Sequence, residues 1–294
     1  MNHFRETAMF NNVLVGVDGR QGGRDAIALA VRLAAPGARI TLAHVDPIEV
    51  DARGSDPHAD STKMLSEERA GAAIDAQILA VKGASAAGRL HQLAADRRYD
   101  LLVVGSCHRG PLARRFAGDH AVRSLHGAPC AVAIAPSGYA PPSHLARIGV
   151  GRDGSPESTQ ALEAARAVAA RTGATIEPLL VLPRQSVPYG QPIEHRWSEV
   201  AKQLTAEDLA RLGGADDLEG QVRYGSPGEK LVGFSEEVDL LIVGSRSSGP
   251  VGRLFTGSTS DYLARHARCP LLVFPRSADE LPASRPAASQ MASA

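Results

Sequence analysis

Two short glycine-rich segments carry the residues of this chain best suited to chemistry. One reads Gly244-Ser245-Arg246-Ser247, then nine residues, then Gly257-Ser258-Thr259-Ser260. Small residues let a backbone approach a phosphate closely. Amides at a helix start aim donors at it, and the hydroxyls of Ser258 and Thr259 can add more. Ser258 equally suits the plainer role of a helix N-cap. The other segment reads Gly105-Ser106-Cys107-His108, nine residues, then Gly118-Asp119-His120. Here Asp119 stands where Ser258 stands in the first pattern. A carboxylate suits a helix start, but beside phosphate in a partly dry site it costs on the order of several kcal/mol. Arg109, Arg114 and Arg115 are placed to offset that charge, while His108 adds bulk. The segment around Ser258 is therefore the stronger expected phosphate binder.

Two acids accompany these segments. Asp18 lies in Val17-Asp18-Gly19, and Asp153 lies in Gly151-Arg152-Asp153-Gly154. Each follows an apolar run, where a carboxylate could accept from a ribose hydroxyl. Each also reads as an ordinary turn residue beside glycine. Arg152 replaces the apolar Val17, so it either reaches a phosphate or is simply exposed.

Other chemistries lack their motifs. No lysine follows the glycines, so there is no Walker A loop. Gly149 to Gly154 matches GxGxxG literally, but it opens within a strand and Pro156 follows closely. The ten histidines form neither HExxH nor a Cys/His pair at zinc spacing. No G-x-S-x-G elbow is present. No acid is placed by motif as a general base, so no catalytic residue is assigned. Cys107, Cys130 and Cys269 form no close pair, and the last two read as small buried apolar residues.

The elements that must hold the segments occur twice. VLVGVDGR from Val13 parallels IGVGRDGS from Ile148, and YDLLVVGS from Tyr99 parallels VDLLIVGS from Val238. Such a spacing is a whole domain, too long for a solenoid repeat. In the first copy, strands are expected over Val13 to Val17, Arg39 to Val45, Ala76 to Val81, Leu101 to Val104 and Cys130 to Ala135. Helices are expected over Gly23 to Ala35, Thr62 to Ile74, Ala86 to Ala95 and Asp119 to His126, with Asp46 to Asp60 a loop. The second copy repeats the order, with strands over Arg147 to Gly151, Thr175 to Val181, Leu218 to Tyr224, Leu240 to Val243 and Leu271 to Phe274. Its helices begin near Ser158, Glu194, Gly228 and Ser258. The strands are apolar runs alternating with helices, the pattern of a parallel sheet covered on both faces. Domains are expected over 1–139 and 140–276, with a disordered tail over 277–294.

Composition narrows the classes further. The chain has 294 residues, 32 basic and 32 acidic, with 4% aromatics. Zero net charge gives no support for nucleic-acid binding, and stacking residues are scarce. No apolar stretch is long enough for a membrane span. The N-terminal residues do not read as a signal peptide, so a cytoplasmic protein is expected.

These residues resemble the universal stress protein family in a tandem, two-domain form, over about residues 10 to 276. The family pattern is glycine, two residues, glycine, nine residues, glycine and a hydroxyl residue. It is met by Gly244, Gly257 and Ser258, with Ser247 departing. The first copy keeps Gly105 and Gly118 but departs at His108 and Asp119. The resemblance implies an α/β fold of two doubly wound domains, each a five-stranded parallel sheet of order 3-2-1-4-5 flanked by helices. It implies ATP with the ribose near Asp153 or Asp18 and adenine near Val181 or Val45. Phosphates would lie along the glycine segment, carrying magnesium. The function implied is an ATP-binding stress-response regulator with no or slow turnover. A nucleotide-free scaffold and a weak hydrolase are the alternatives. In the implied order the last strands would be apolar edges, which invite pairing. Ala131 to Ala135 is therefore expected to pair antiparallel with Leu271 to Phe274, and a homodimer is a further expectation.

Overall fold

The computed structural model describes residues 10–48, 57–106, 119–141, 144–182, 220–245 and 258–275. In the first half, β1 (Phe10–Gly16), α1 (Gln21–Leu33), β2 (Ala34–Asp46), α2 (Pro57–Gly71), β3 (Gln77–Lys82), α3 (Ala86–Asp96), β4 (Leu101–Gly105), α4 (Asp119–Leu125) and β5 (Ala131–Ala135) follow in order. The second half holds β6 (Arg147–Arg152), α5 (Pro156–Thr172), β7 (Thr175–Leu182), β8 (Gln221–Tyr224), α6 (Pro227–Phe234), β9 (Leu240–Gly244), α7 (Ser258–His266) and β10 (Leu271–Phe274). The helix expected near Glu194 and the tail from Ser277 lie outside the described residues.

Local chemistry accounts for the helix ends. Ser155 caps α5 by accepting from the Ser158 amide at 3.1 Å, Pro156 opens its first turn, and Gly173 closes it at a left-handed φ of 73°. Four expected boundaries are corrected. The helix α1 stops at Leu33 rather than Ala35, and β2 begins at Ala34 rather than Arg39, because Ala34 already pairs with Phe10 of β1. Pro57 starts α2 well before Thr62, because proline is pre-organised for a first helical turn. Asp46 belongs to β2 rather than to the following loop, where Asp46 pairs with Lys82 of β3. The β8 strand begins at Gln221, after Gly220, and Leu218 and Glu219 of the expected strand lie outside the described residues.

An aspartate before each fourth strand ties it to the first strand of its half. The Asp100 carboxylate accepts from the amide of Asn11 at 2.7 Å and from that of Asn12. Asp239 accepts from the amides of Ala146 and Arg147, both at 2.8 Å. Burial pushes the Asp100 carboxyl above its ordinary value, and those amides pull it back down.

The strands form one sheet of order β3-β2-β1-β4-β5-β10-β9-β6-β7-β8. Each half thus has the expected order 3-2-1-4-5, and its internal pairings are parallel. The halves meet through β5 and β10, which pair antiparallel with Leu272 opposite Ala133. This is the pairing expected from the two apolar edges. One core layer lies under α1 and α5, with Val13, Val15, Ile148 and Val150. The other lies under α3, α4, α6 and α7, with Leu102, Leu179, Phe234 and Leu241. Both layers run unbroken across the β5–β10 contact. Phe10 stacks on Phe274 at 6.3 Å, and Arg171 of α5 donates to the Ala34 carbonyl at 2.7 Å. His126, just after α4, lies 3.1 Å from Asp261 of α7.

Candidate functional site

In an open parallel sheet the carboxyl ends of the strands diverge where the strand order reverses. In the first half that place is between β1 and β4, and a cleft of about 480 Å³ lies there. Its floor is Gly16, Val17, Val104 and Gly105 at the ends of these strands. Ala43, His44 and Val45 at the end of β2 make one wall. Ala86, Ala87 and Leu90 of α3 make another. Asp18 and Arg20 stand at the rim, with Gly22 and Gly23 in the first turn of α1.

The glycines open this space. A Cβ at Gly22 would meet nothing nearer than the Ser106 carbonyl at 3.8 Å. A Cβ at Gly23 would come within 3.1 Å of the Asp18 amide. Gly105 has a separate reason to be glycine, because a Cβ there would overlap the Gly22 carbonyl. Asp18 is exposed and accepts from the Arg20 amide at 3.1 Å, closing the turn between β1 and α1.

His44 is a wall residue that motif reasoning passed over as one of many scattered histidines. Its Nδ1 lies 2.7 Å from the Val17 carbonyl. A carbonyl only accepts, so Nδ1 carries the proton. Its Nε2 lies 3.6 Å from Asp46, whose carboxylate is 2% exposed and also accepts from the Ser61 hydroxyl. The signal in the sequence was position alone, one residue before Val45. The small residues of α3 carry no chemical signal and could be placed only by the fold.

In the second half the corresponding positions are filled. Arg152 takes the place of Val17, and Glu157 and Ser158 take those of Gly22 and Gly23. Arg152 is not the exposed residue that one expectation made it, because it is only 8% exposed and its guanidinium donates to the Ser158 carbonyl at 2.6 Å. Burial lowers its pKa, and Asp153 opposes that shift. Asp153 accepts from the Ser155 amide at 2.9 Å and from its hydroxyl, the turn role. A Cβ at Gly244 would lie 2.6 Å from the Glu157 carbonyl carbon and from the Ser158 amide nitrogen. A Cβ at Gly151 would lie 3.0 Å from Val243. Val181 is half-buried on β7 and Thr259 half-buried in the first turn of α7. Ser258 begins α7, and its side chain lies outside what is described. Arg246, Ser247, Gly257 and Gly118 also lie outside the described residues.

Cys269 is buried and Cys130 half-buried against the same core layer, while Cys107 lies outside the described residues. Burial pushes the thiols of Cys130 and Cys269 up to about 12, so neither carries a thiolate at neutral pH. Among the described residues, no group of three His, Cys, Asp or Glu side chains is arranged to hold a metal. No described helix is long and apolar enough to cross a membrane.

A sequence model of the universal stress protein family matches the chain twice, over residues 9–136 and 145–275. The chain belongs to the universal stress protein family. It is similar to a universal stress protein of Mycobacterium tuberculosis strain H37Rv, 32% identical over 195 residues and 59% of this chain. That match spans 61% of the relative's own length. A universal stress protein of Mycolicibacterium smegmatis is 28% identical over 294 residues, covering 91% of this chain and 98% of that protein. The crystal structure of a universal stress protein from Archaeoglobus fulgidus is similar in fold over 91% of this chain and 99% of its own. The TM-score is 0.66 and the identity 18%. The two family matches fall on the two halves that meet at β5 and β10.

Proposed function

We propose that this universal stress protein is a cytoplasmic, adenine-nucleotide-binding regulator that holds ATP with no or slow turnover. The observation that carries this reading is the first-half cleft of about 480 Å³, within the size range of small-molecule sites. Its residues fit the group. Asp18 would accept from ribose hydroxyls, Val45 and the α3 wall would cover the base, and the glycine-lined first turn of α1 would face the phosphates. Donors at that helix start favour negative charge. Magnesium would ride on the phosphates, since hard cations of this kind keep phosphate and water ligands. ATP would supply the charge and bulk by which occupancy alters a partner surface. No residue is proposed to take a proton from an attacking water.

The second half offers the family pattern at Gly244, Arg246, Ser247, Gly257, Ser258 and Thr259, with Gly151, Asp153 and Val181 beside it. The buried Arg152 guanidinium and the Glu157 and Ser158 side chains favour the first half as the main site. The reading includes association of the whole chain into a homodimer, which light scattering would detect.

The test is calorimetric titration of the full chain with ATP and magnesium, alongside native mass spectrometry of the purified protein. Gly22→Val would fill the cleft and should abolish the main binding event. Asp18→Ala should weaken it by about tenfold, the loss of a charge-assisted hydrogen bond. Ser258→Ala and Gly257→Val should have the smaller effect. If those two abolish binding and Gly22→Val does not, the site is in the second half. If the wild-type chain binds no nucleotide, it is a scaffold.

A further inference from the structure

A second cavity, of about 200 Å³, lies at the junction of the two halves and shares no lining residue with the cleft. Ser106, Ile134 and Ser137 come from the first half, and Arg265, His266 and Arg268 from the end of α7 and just beyond. Among the described residues its wall contains these basic residues and no aspartate or glutamate.

Ser106 is the informative member. It follows Gly105 directly, so the strand alternation turns it to the face opposite α1, toward the layer that holds α4 and α7. Its amide is used by the Ala135 carbonyl at 2.8 Å. The residue is 8% exposed, yet its hydroxyl makes no hydrogen bond among the described residues. A buried hydroxyl left unpaired is costly, and native proteins rarely keep one without a use. Here it faces a polar cavity with room for a small ion and its water.

The geometry points to an oxyanion site of the phosphate class at this junction. The Ser106 hydroxyl would donate to one oxygen, and Arg265 and Arg268 would supply charge. The carbonyl end of α7 opposes an anion with roughly half an elementary charge, which two guanidinium groups outweigh. Arg268 also lies 3.6 Å from Glu236 at the exposed surface, a contact of the kind that contributes little and that an anion could replace. Because the walls come from both halves, occupancy would tie the halves together. The site stands independently of the nucleotide reading.

The experiment is a titration of the isotopically labelled full chain with inorganic phosphate, followed by amide chemical shifts. Saturable shifts are expected at Ser106, Arg265, His266 and Arg268. Ser106→Ala should weaken the apparent affinity about tenfold, as for loss of one hydrogen bond to a charged group. Ser106→Thr, which keeps the hydroxyl, should bind like wild type, and Arg268→Gln should weaken binding. The Gly22→Val variant should leave these shifts intact, which separates this site from the cleft. A parallel titration with methyl phosphate distinguishes a free ion from an esterified ligand, according to which binds tighter. Shifts confined to Gly16, Gly22 and Gly23 would overturn the proposal. So would shifts that never saturate, or that Ser106→Ala leaves unchanged.

Discussion

Gly244→Ala should destabilise the protein, and Gly233→Ala should stabilise it. The two substitutions add the same methyl group to very different surroundings. At Gly244 the new Cβ would lie 2.6 Å from the Glu157 carbonyl carbon, the Glu157 Cβ and the Ser158 amide nitrogen. Ordinary contact begins near 3.4 Å, so β9 and α5 must part by roughly 1 Å at a packed interface. Two of the three obstructing atoms are backbone, so no rotamer change relieves the overlap. Overpacking of this kind costs about 1–3 kcal/mol, and the backbone contact argues for the upper end. For a unit of this size that lowers the melting midpoint by roughly 6–10 °C. At Gly233 a Cβ would meet nothing within 4 Å. Alanine in the helix then gains about 0.5–1 kcal/mol. Thermal melts and urea midpoints of the full-length variants, compared at similar slopes, read both signs. A Gly244→Ala midpoint equal to wild type would refute the packing account and return this glycine to a ligand-facing role alone.

Other expectations follow from buried groups. Phe234 is fully buried, with the Arg223 guanidinium 5.3 Å from its ring centre. Phe234→Ala should cost about 3–5 kcal/mol by denaturant titration, and Phe234→Leu should cost clearly less. Burial holds the His91 imidazole below its ordinary pKa, although its Nε2 is 2.8 Å from the Ser124 carbonyl. The unfolded chain therefore takes up that proton first as pH falls, so the His91 contribution is present above the ordinary imidazole range and is lost as pH drops through the lowered value. Stability against pH should fall less steeply in His91→Gln over that window. The contact of His126, just after α4, with Asp261 of α7 is partly exposed. Asp261→Asn should therefore cost under about 1 kcal/mol, and a double-mutant cycle would measure it.

The duplicated sequence made the fold legible because each strand and helix could be checked against its counterpart. Even the β5–β10 pairing was accessible, since two apolar last strands would otherwise be bare edges. Boundaries were harder. Asp46 looked like loop because it opens a polar run that holds Gly54 and two prolines, whereas in the structure the Ser61 hydroxyl, His44 and His58 stand around its carboxylate. The candidate site was legible in its acids and glycines but not in its shape. Asp18 and Asp153 look alike in sequence. The difference comes from Val17 against Arg152 and from Gly22 and Gly23 against Glu157 and Ser158. Residue type could not show that the Arg152 guanidinium folds over the first turn of α5. Nor could it show that Gly105 and Gly244 are pressed against the helices α1 and α5.

The antiparallel contact of β5 with β10 joins segments of one polypeptide. Between separate molecules such a contact would weaken on dilution. Within one chain it forms at an effective concentration set by the connecting segment, on the order of millimolar for a short link. Pairing is then independent of expression level. It is also unequal by construction. In a two-fold assembly of identical subunits every substitution appears on both sides of the interface. Here each half always meets the same, different neighbour. Asp119 can diverge from Ser258, and Gly22 from Glu157, without imposing the change twice. One half is thereby free to keep an open cleft while the other is remodelled for packing.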